Sequence, residues 1–208
     1  MRIHRIGLVV GLLLMAQLAG TSCILFPTIV KRRVNLVVAR IATVPLHATG
    51  ATNSFTGNNT VNLRDSIDLA QAVSDAGIDI ENVDKIVVGK VQYRVVVADL
   101  TAGRQITAGN VKVAAGGGAL TDLIVGFSHA ADAPTVWLTA GLNSAGVTQL
   151  NQMLASILAE LKGGASADEH IGYSVTGTSA PPTTPTDFWY EIRVTLLISG
   201  KIDTKVLN

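Results

Sequence analysis

One cysteine, Cys23, occurs in 208 residues, which excludes a disulfide within the chain, a Cys-based zinc site and a paired-thiol redox centre. Aromatic residues are scarce at 4%, too few to promise a platform of exposed rings for sugars. Charge is scarce as well, at 15% of residues with a formal net of +1. Removal of residues 1–22 takes away Arg2 and Arg5 and leaves 14 basic against 15 acidic residues, a net of −1. Nucleic-acid binding rests on neutralising phosphates, so a near-neutral chain argues against that class. The sequence has no Gly-x-Ser-x-Gly elbow, no phosphate-binding loop and no dinucleotide fingerprint. Gly116-Gly117-Gly118 lacks the Lys and the following helix of a phosphate cradle and reads as a turn. Beyond residue 22 the histidines are His47, His129 and His170, none with a second ligand at helical or strand spacing. No cofactor is implied, and the chain is expected not to be an enzyme.

What the N-terminus does have is a basic start, Arg2, His4 and Arg5, then the apolar run Ile6 to Ala16, then small residues. That order is the pattern of an export signal over residues 1–22. Leu18-Ala19-Gly20-Thr21-Ser22-Cys23 resembles the lipobox of bacterial lipoproteins, with Gly20 where most lipoboxes carry Leu. The resemblance implies cleavage after Ser22, acylation of Cys23 and anchorage to a membrane through it. Ile24 and Leu25 lack the Asp that retains many such proteins at the inner membrane, so the resemblance further implies the outer membrane. Residues 23–33 would then be a lipidated tether, whose Lys31-Arg32-Arg33 could meet anionic headgroups or simply be solvated. Two alternatives use the same residues. Ile6 to Val30 is twenty-five residues without a charge, long enough for an uncleaved anchor across about 30 Å of hydrocarbon. Simple secretion is the other, and all three put the body outside the cytoplasm.

The body, 34–208, reads as a single mainly β domain: a two-layer antiparallel β-sandwich with one short and one longer amphipathic helix. Val34–Val44 is dense in β-branched residues and predicts a first strand, Gly50–Thr60 reads as a loop, and Val61–Ile67 as a second strand. Asp68 is placed to cap a helix near 68–76 whose Leu69, Ala72, Val73 and Ala76 share a face, with Gly77 ending it. Val87, Gly89, Val91, Tyr93, Val95 and Val97 alternate with Val88, Lys90, Gln92, Arg94 and Val96, the period of a half-buried strand. Further strands are expected at 105–113, 120–127 and 135–139. Val147, Leu150, Leu154, Ile157, Leu158 and Leu161 form the stripe of a helix near 146–162, with Asn143 or Ser144 as cap, Gly163 beyond its end and Gln149, Gln152, Ser156 and Glu160 opposite. Residues 170–177 and 188–199 alternate again and are expected to pair as a hairpin across the Pro-rich stretch 178–187, with a last edge strand at 202–207. In pattern the body is similar to β-sandwich surface lipoproteins of gut-type bacteria and, more faintly, to the LEA-like sandwich.

Candidate ligands are few. Asp75, Asp79, Glu81 and Asp84 around Gly77 could offer oxygens to calcium, although their spacing is not that of an EF-hand and helix capping accounts for Asp75 and Asp79. Trp137, Phe188, Trp189 and Tyr190 are the aromatic group of interest, and alternation puts Trp189 and Tyr190 on opposite faces. The expected function is a non-enzymatic envelope lipoprotein serving as a structural or protein-interaction module, with an envelope protein of unknown identity as partner. The alternative is a carrier of a small ligand or lipid, held in an apolar pocket between the sheet and helix 146–162.

Overall fold

The computed structural model describes residues 28–50, 53–97, 105–130, 136–182 and 186–206, so Cys23 and the rest of the export segment lie outside the described residues. The described residues fall into two compact units, 28–32 with 203–206 and residues from 33 to 202. In the first, 28–32 and 203–206 are extended. The elements in chain order are β1 (Thr28–Gly50), β2 (Ser54–Asn62), α1 (Leu63–Ser66), α2 (Leu69–Asp75), a 3₁₀ turn (Ile80–Asn82), β3 (Val83–Val97), β4 (Gln105–Ala115), β5 (Thr121–His129), β6 (Leu138–Thr139), α3 (Ser144–Leu161), β7 (His170–Ala180) and β8 (Thr186–Val206). β1 thus begins inside the stretch 23–33 expected to be tether, and of the edge strand expected at 202–207 the residues 202–206 are the end of β8.

The chain is mainly β, antiparallel, with helices. Its strands form one sheet in the order β5-β4-β7-β2-β1-β8-β3-β6, where two facing sheets were expected. The physical reason is β8: one long strand pairs with β3 and neighbours β1, so the two halves are joined rather than stacked. Within residues 33–202 the sheet curls into a half-barrel, and α3 packs against β3, β4 and β5, strands from both ends of the sheet order. The same order overturns the expected hairpin. β7 pairs with β2 and β4, and two strands, β2 and β1, separate it from β8.

Local chemistry explains most elements. Asp68 caps α2 by accepting from the Gln71 amide at 2.8 Å, Leu69, Ala72 and Val73 are buried, and Gly77 follows with φ of 69°. Asn143 caps α3 by accepting from the Ala145 amide at 2.9 Å, and Gly163 beyond its C-terminus has φ of 84°. The buried face of α3 is Leu150, Met153, Leu154, Ile157 and Leu158, with Gly146 against β5. Each such large side chain contributes about 1.5–3 kcal/mol relative to exposure. Gln149 does not lie opposite as expected: it is half-buried and its Nε2 donates to the Ala119 carbonyl at 3.0 Å.

Two expectations fail near the start. Ser54–Asn62 is a strand rather than part of a loop, with Phe55 and Gly57 turned inward and pairing to β7 along its length. Leu63–Ser66, expected within a second strand, is a helical turn capped by the Asn62 side chain. In β3 the alternation holds, but its phase changes. Val88 faces Leu196 and Lys90 faces Thr195, which leaves Gly89 as the extra residue of a bulge. Ile86 before it and Val91, Tyr93 and Val95 after it are therefore the buried positions.

Rings fill the centre of the curl. Phe55 meets Phe188 edge-on at 4.8 Å, Tyr190 stacks on Tyr93 at 5.6 Å, and Phe127 lies 5.0 Å from Tyr190. Gly109 and Gly177 face each other across β4 and β7, and a Cβ on either would strike the ring of Phe127 or Phe55 at 2.3 Å or 2.5 Å. The two glycines are seats for two phenyl rings.

Candidate functional site

The acidic residues and histidines singled out in the sequence do not converge on one site among the described residues. Asp75 accepts from the Gln71 side chain at 2.6 Å, Asp79 caps the 3₁₀ turn through the Glu81 amide, and Asp84 pairs with Arg33 at 3.3 Å. Each carboxylate of the calcium candidates other than Glu81 thus has its own local partner, and among the described residues no three His, Cys, Asp or Glu side chains converge as metal ligands. Gly116 and Gly117 form a turn, with φ of 58° and 73°. His170 is exposed and meets Asp168 at 2.9 Å through Nδ1. The Asp168 carboxyl is held below its usual range, first by the His170 amide and then by the His170 ring. His129 is buried at the end of β5, and burial pushes its pKa below the usual value. The side chain of His47 lies outside the described residues. Alternation does hold at 188–190: Phe188 and Tyr190 are buried and Trp189 is 42% exposed.

Trp189 opens the outer, wet face of β3 and β8. Register sets Val96 against Trp189, Arg94 against Glu191, Gln92 against Arg193 and Lys90 against Thr195. Because side chains alternate, these eight residues share the face opposite the buried Val91, Tyr93, Val95, Tyr190 and Ile192. Trp137, just before β6, lies over this face with its ring 4.8 Å from the Arg94 guanidinium and 4.1 Å from that of Arg193. The Arg94 Nε donates to Glu191 Oε2, and this hydrogen bond raises the Arg94 pKa further above its usual value. Among the described residues the contact seen for the Arg193 guanidinium is the indole, and its Nε is buried with no hydrogen-bond partner. Guanidinium over indole is attractive by about 0.5–2 kcal/mol. The sequence marks Arg94 and Arg193 as polar-face residues, but Trp137 reaches them only through the fold.

A second feature lies under α3, where the alternative reading expects a pocket. An apolar cavity of about 60 Å³ is walled by Val113, Tyr173 and Leu196 from the sheet, Leu154 from α3, and Leu63 and Ile67 around α1. Burial pushes the Tyr173 phenol up to about 12, so it stays neutral. Leu63 and Ile67 also floor an outer cleft of about 240 Å³ beside Asp68, Ile157 and Glu169. Arg64 bridges that cleft, meeting Glu169 at 2.5 Å and Glu160 at 2.9 Å. Glu169 is itself buried. The Ala167 amide, followed by Arg64, lowers the Glu160 pKa.

No protein-family model matches the sequence, and no curated protein matches it. Among solved structures, a chain of Desmodium yellow mottle tymovirus is 10% identical at a TM-score of 0.36, over 88% of this chain and 97% of that one. A chain from the structure of infectious bursal disease virus Gx strain is 8% identical at a TM-score of 0.23, over 82% of this chain and 32% of that one. Overlaps this loose do not define a shared fold. Among the described residues no helix is long and apolar enough to cross a membrane.

Proposed function

We propose that the chain is a non-enzymatic lipoprotein of the bacterial outer membrane, anchored through acylated Cys23, whose β domain binds a protein partner through the wet face of β3 and β8. The observation that carries the interaction reading is the cluster on that face: Trp137 over Arg94 and Arg193, with Trp189 exposed beside them. Trp and Arg are the residue types that dominate protein–protein contacts, because each joins a large apolar surface to a polar or charged handle. The anchor rests on the sequence alone, on a lone cysteine at the end of an export signal.

The carrier reading is the second, favoured by the apolar cavity beneath α3. Ligand pockets run to roughly 300–1,000 Å³. A cavity of about 60 Å³ meets that need only if Leu63 and Ile67 withdraw and join it to the outer cleft. The interaction reading needs no such movement.

A photocrosslinking residue at position 189, compared with one at exposed position 152 on α3, tests the choice in native membranes. A discrete adduct at 189 and none at 152 is expected. No adduct at 189, or the same adducts at both positions, overturns the interaction face.

A further inference from the structure

The wet face carries an uneven charge. Among the described residues Lys90, Arg94 and Arg193 stand on it with two carboxylates, Glu191, which is taken by Arg94, and Asp187, two residues beyond Trp189 towards the start of β8. Arg193 is half-buried with no ion pair to any described residue, its Cζ 4.1 Å from the centre of the Trp137 ring and its Nε shut away from water without a hydrogen-bond partner among the described residues. Partial loss of hydration strengthens what attraction to an anion remains, since the local dielectric is lower than that of water. The stack also fixes the fork in advance, so less side-chain freedom is lost when an anion binds. A planar fork matches a carboxylate through two parallel N–H donations. Lys90 stands diagonally next to Arg193 across the strand pair, which extends the cationic strip by one residue.

We infer that Arg193 anchors a carboxylate of an acidic segment of the partner protein, with Lys90 meeting a second acidic side chain and Trp189 packing beside it. This rests on the reading of the face as an interaction surface and names the chemistry of what it takes. A carboxylate is favoured over phosphate because among the described residues of this face only one guanidinium is without an ion pair, where a phosphate cradle would gather several donors around three oxygens. The indole face turned to the guanidinium groups is covered, which argues against a stacked sugar there.

The test is titration of the full chain in detergent with a capped tetraglutamate peptide, followed through the indole N–H resonances of Trp137 and Trp189. A saturable shift of Trp137 is expected. Arg193→Gln should weaken it about tenfold, and Arg193→Lys, which keeps the charge and loses the fork, should fall between the two. All three proteins should stay folded at the titration temperature, with Arg193→Gln melting lower only by the loss of its contact with the indole. Tetralysine should produce no shift. The inference is overturned by an unsaturable shift, by equal affinity in Arg193→Gln, or by inorganic phosphate binding as tightly as the peptide. Adducts at position 189 that persist beside such a result would overturn the carboxylate anchor alone and leave the interaction face standing.

Discussion

Leu154→Ala tests the packing of α3 on the sheet. Leu154 is 2% exposed and faces the apolar cavity of about 60 Å³. Leu-to-Ala substitutions in a well-packed core cost roughly 2.7–5.0 kcal/mol, and about 24 cal/mol of this accrues for each Å³ left unfilled. Here the new void opens into an existing one. Collapse is resisted on one side by strands tied into an eight-stranded sheet and on the other by an 18-residue helix. The cost therefore belongs in the upper half of the range, about 4 kcal/mol, against a total stability of roughly 5–15 kcal/mol for a domain. Gln152→Ala, two residues away on the exposed face, should stay within about 0.5 kcal/mol. Urea unfolding with an unchanged slope measures both. The enlarged void is apolar and dry, so benzene should raise the melting temperature of Leu154→Ala and leave the unsubstituted chain unmoved. A loss below about 1 kcal/mol, or equal losses for the two variants, would refute the assignment of the buried face.

Three further outcomes follow from particular contacts. Gly146→Ala gains about 1 kcal/mol in helix propensity, yet its Cβ would stand 2.6 Å from the Asp122 carbonyl oxygen and 2.9 Å from the Leu123 Cα. The substitution should be net destabilising by urea melt, and a more stable variant would contradict the close approach of α3 to β5. Burial holds the His129 pKa below 6.5, so the unfolded chain takes up a proton first. Stability from this group is full above about pH 6.5 and is lost as pH falls from there through the folded value. His129→Gln should flatten the drop in stability between about pH 8 and about pH 5, and an identical drop would remove His129 from the account. Replacing 181–187 by a two-residue turn should unfold the domain, because β7 and β8 stand three strand spacings apart, about 14 Å. Retention of the folded spectrum would reinstate the hairpin.

Periodicity revealed the elements that bury one face. β3, α2, α3 and the Tyr190–Ile198 part of β8 were legible because apolar residues recur at period two or 3.6 and caps such as Asp68 and Asn143 stand at the right places. β2 was hidden because Ser54, Gly57, Asn58, Asn59 and Asn62 are turn-forming residue types; pairing to β7 along its length holds it extended. The Gly89 bulge shifted the phase of β3, which no local pattern announces. Strand order was illegible for a different reason. β7 and β8 follow one another in sequence, yet their registers are fixed by partners far away in the chain: β4 and β2 for one, β3 for the other. The wet face was half legible, since the polar positions Arg94, Glu191 and Arg193 could be read from alternation, whereas Trp137 comes from a separate segment. The calcium candidates were a matter of composition, and local capping and ion pairing absorb Asp75, Asp79 and Asp84.

The claim that this is a lipid-anchored envelope protein meets its most direct test in mass spectrometry of the intact chain from its native membrane. The account predicts an N-terminus at Cys23 carrying acyl chains, and loss of fatty-acid labelling in Cys23→Ala. An unmodified Cys23 within a chain that still begins at Met1, or lipid labelling that survives Cys23→Ala, would contradict it.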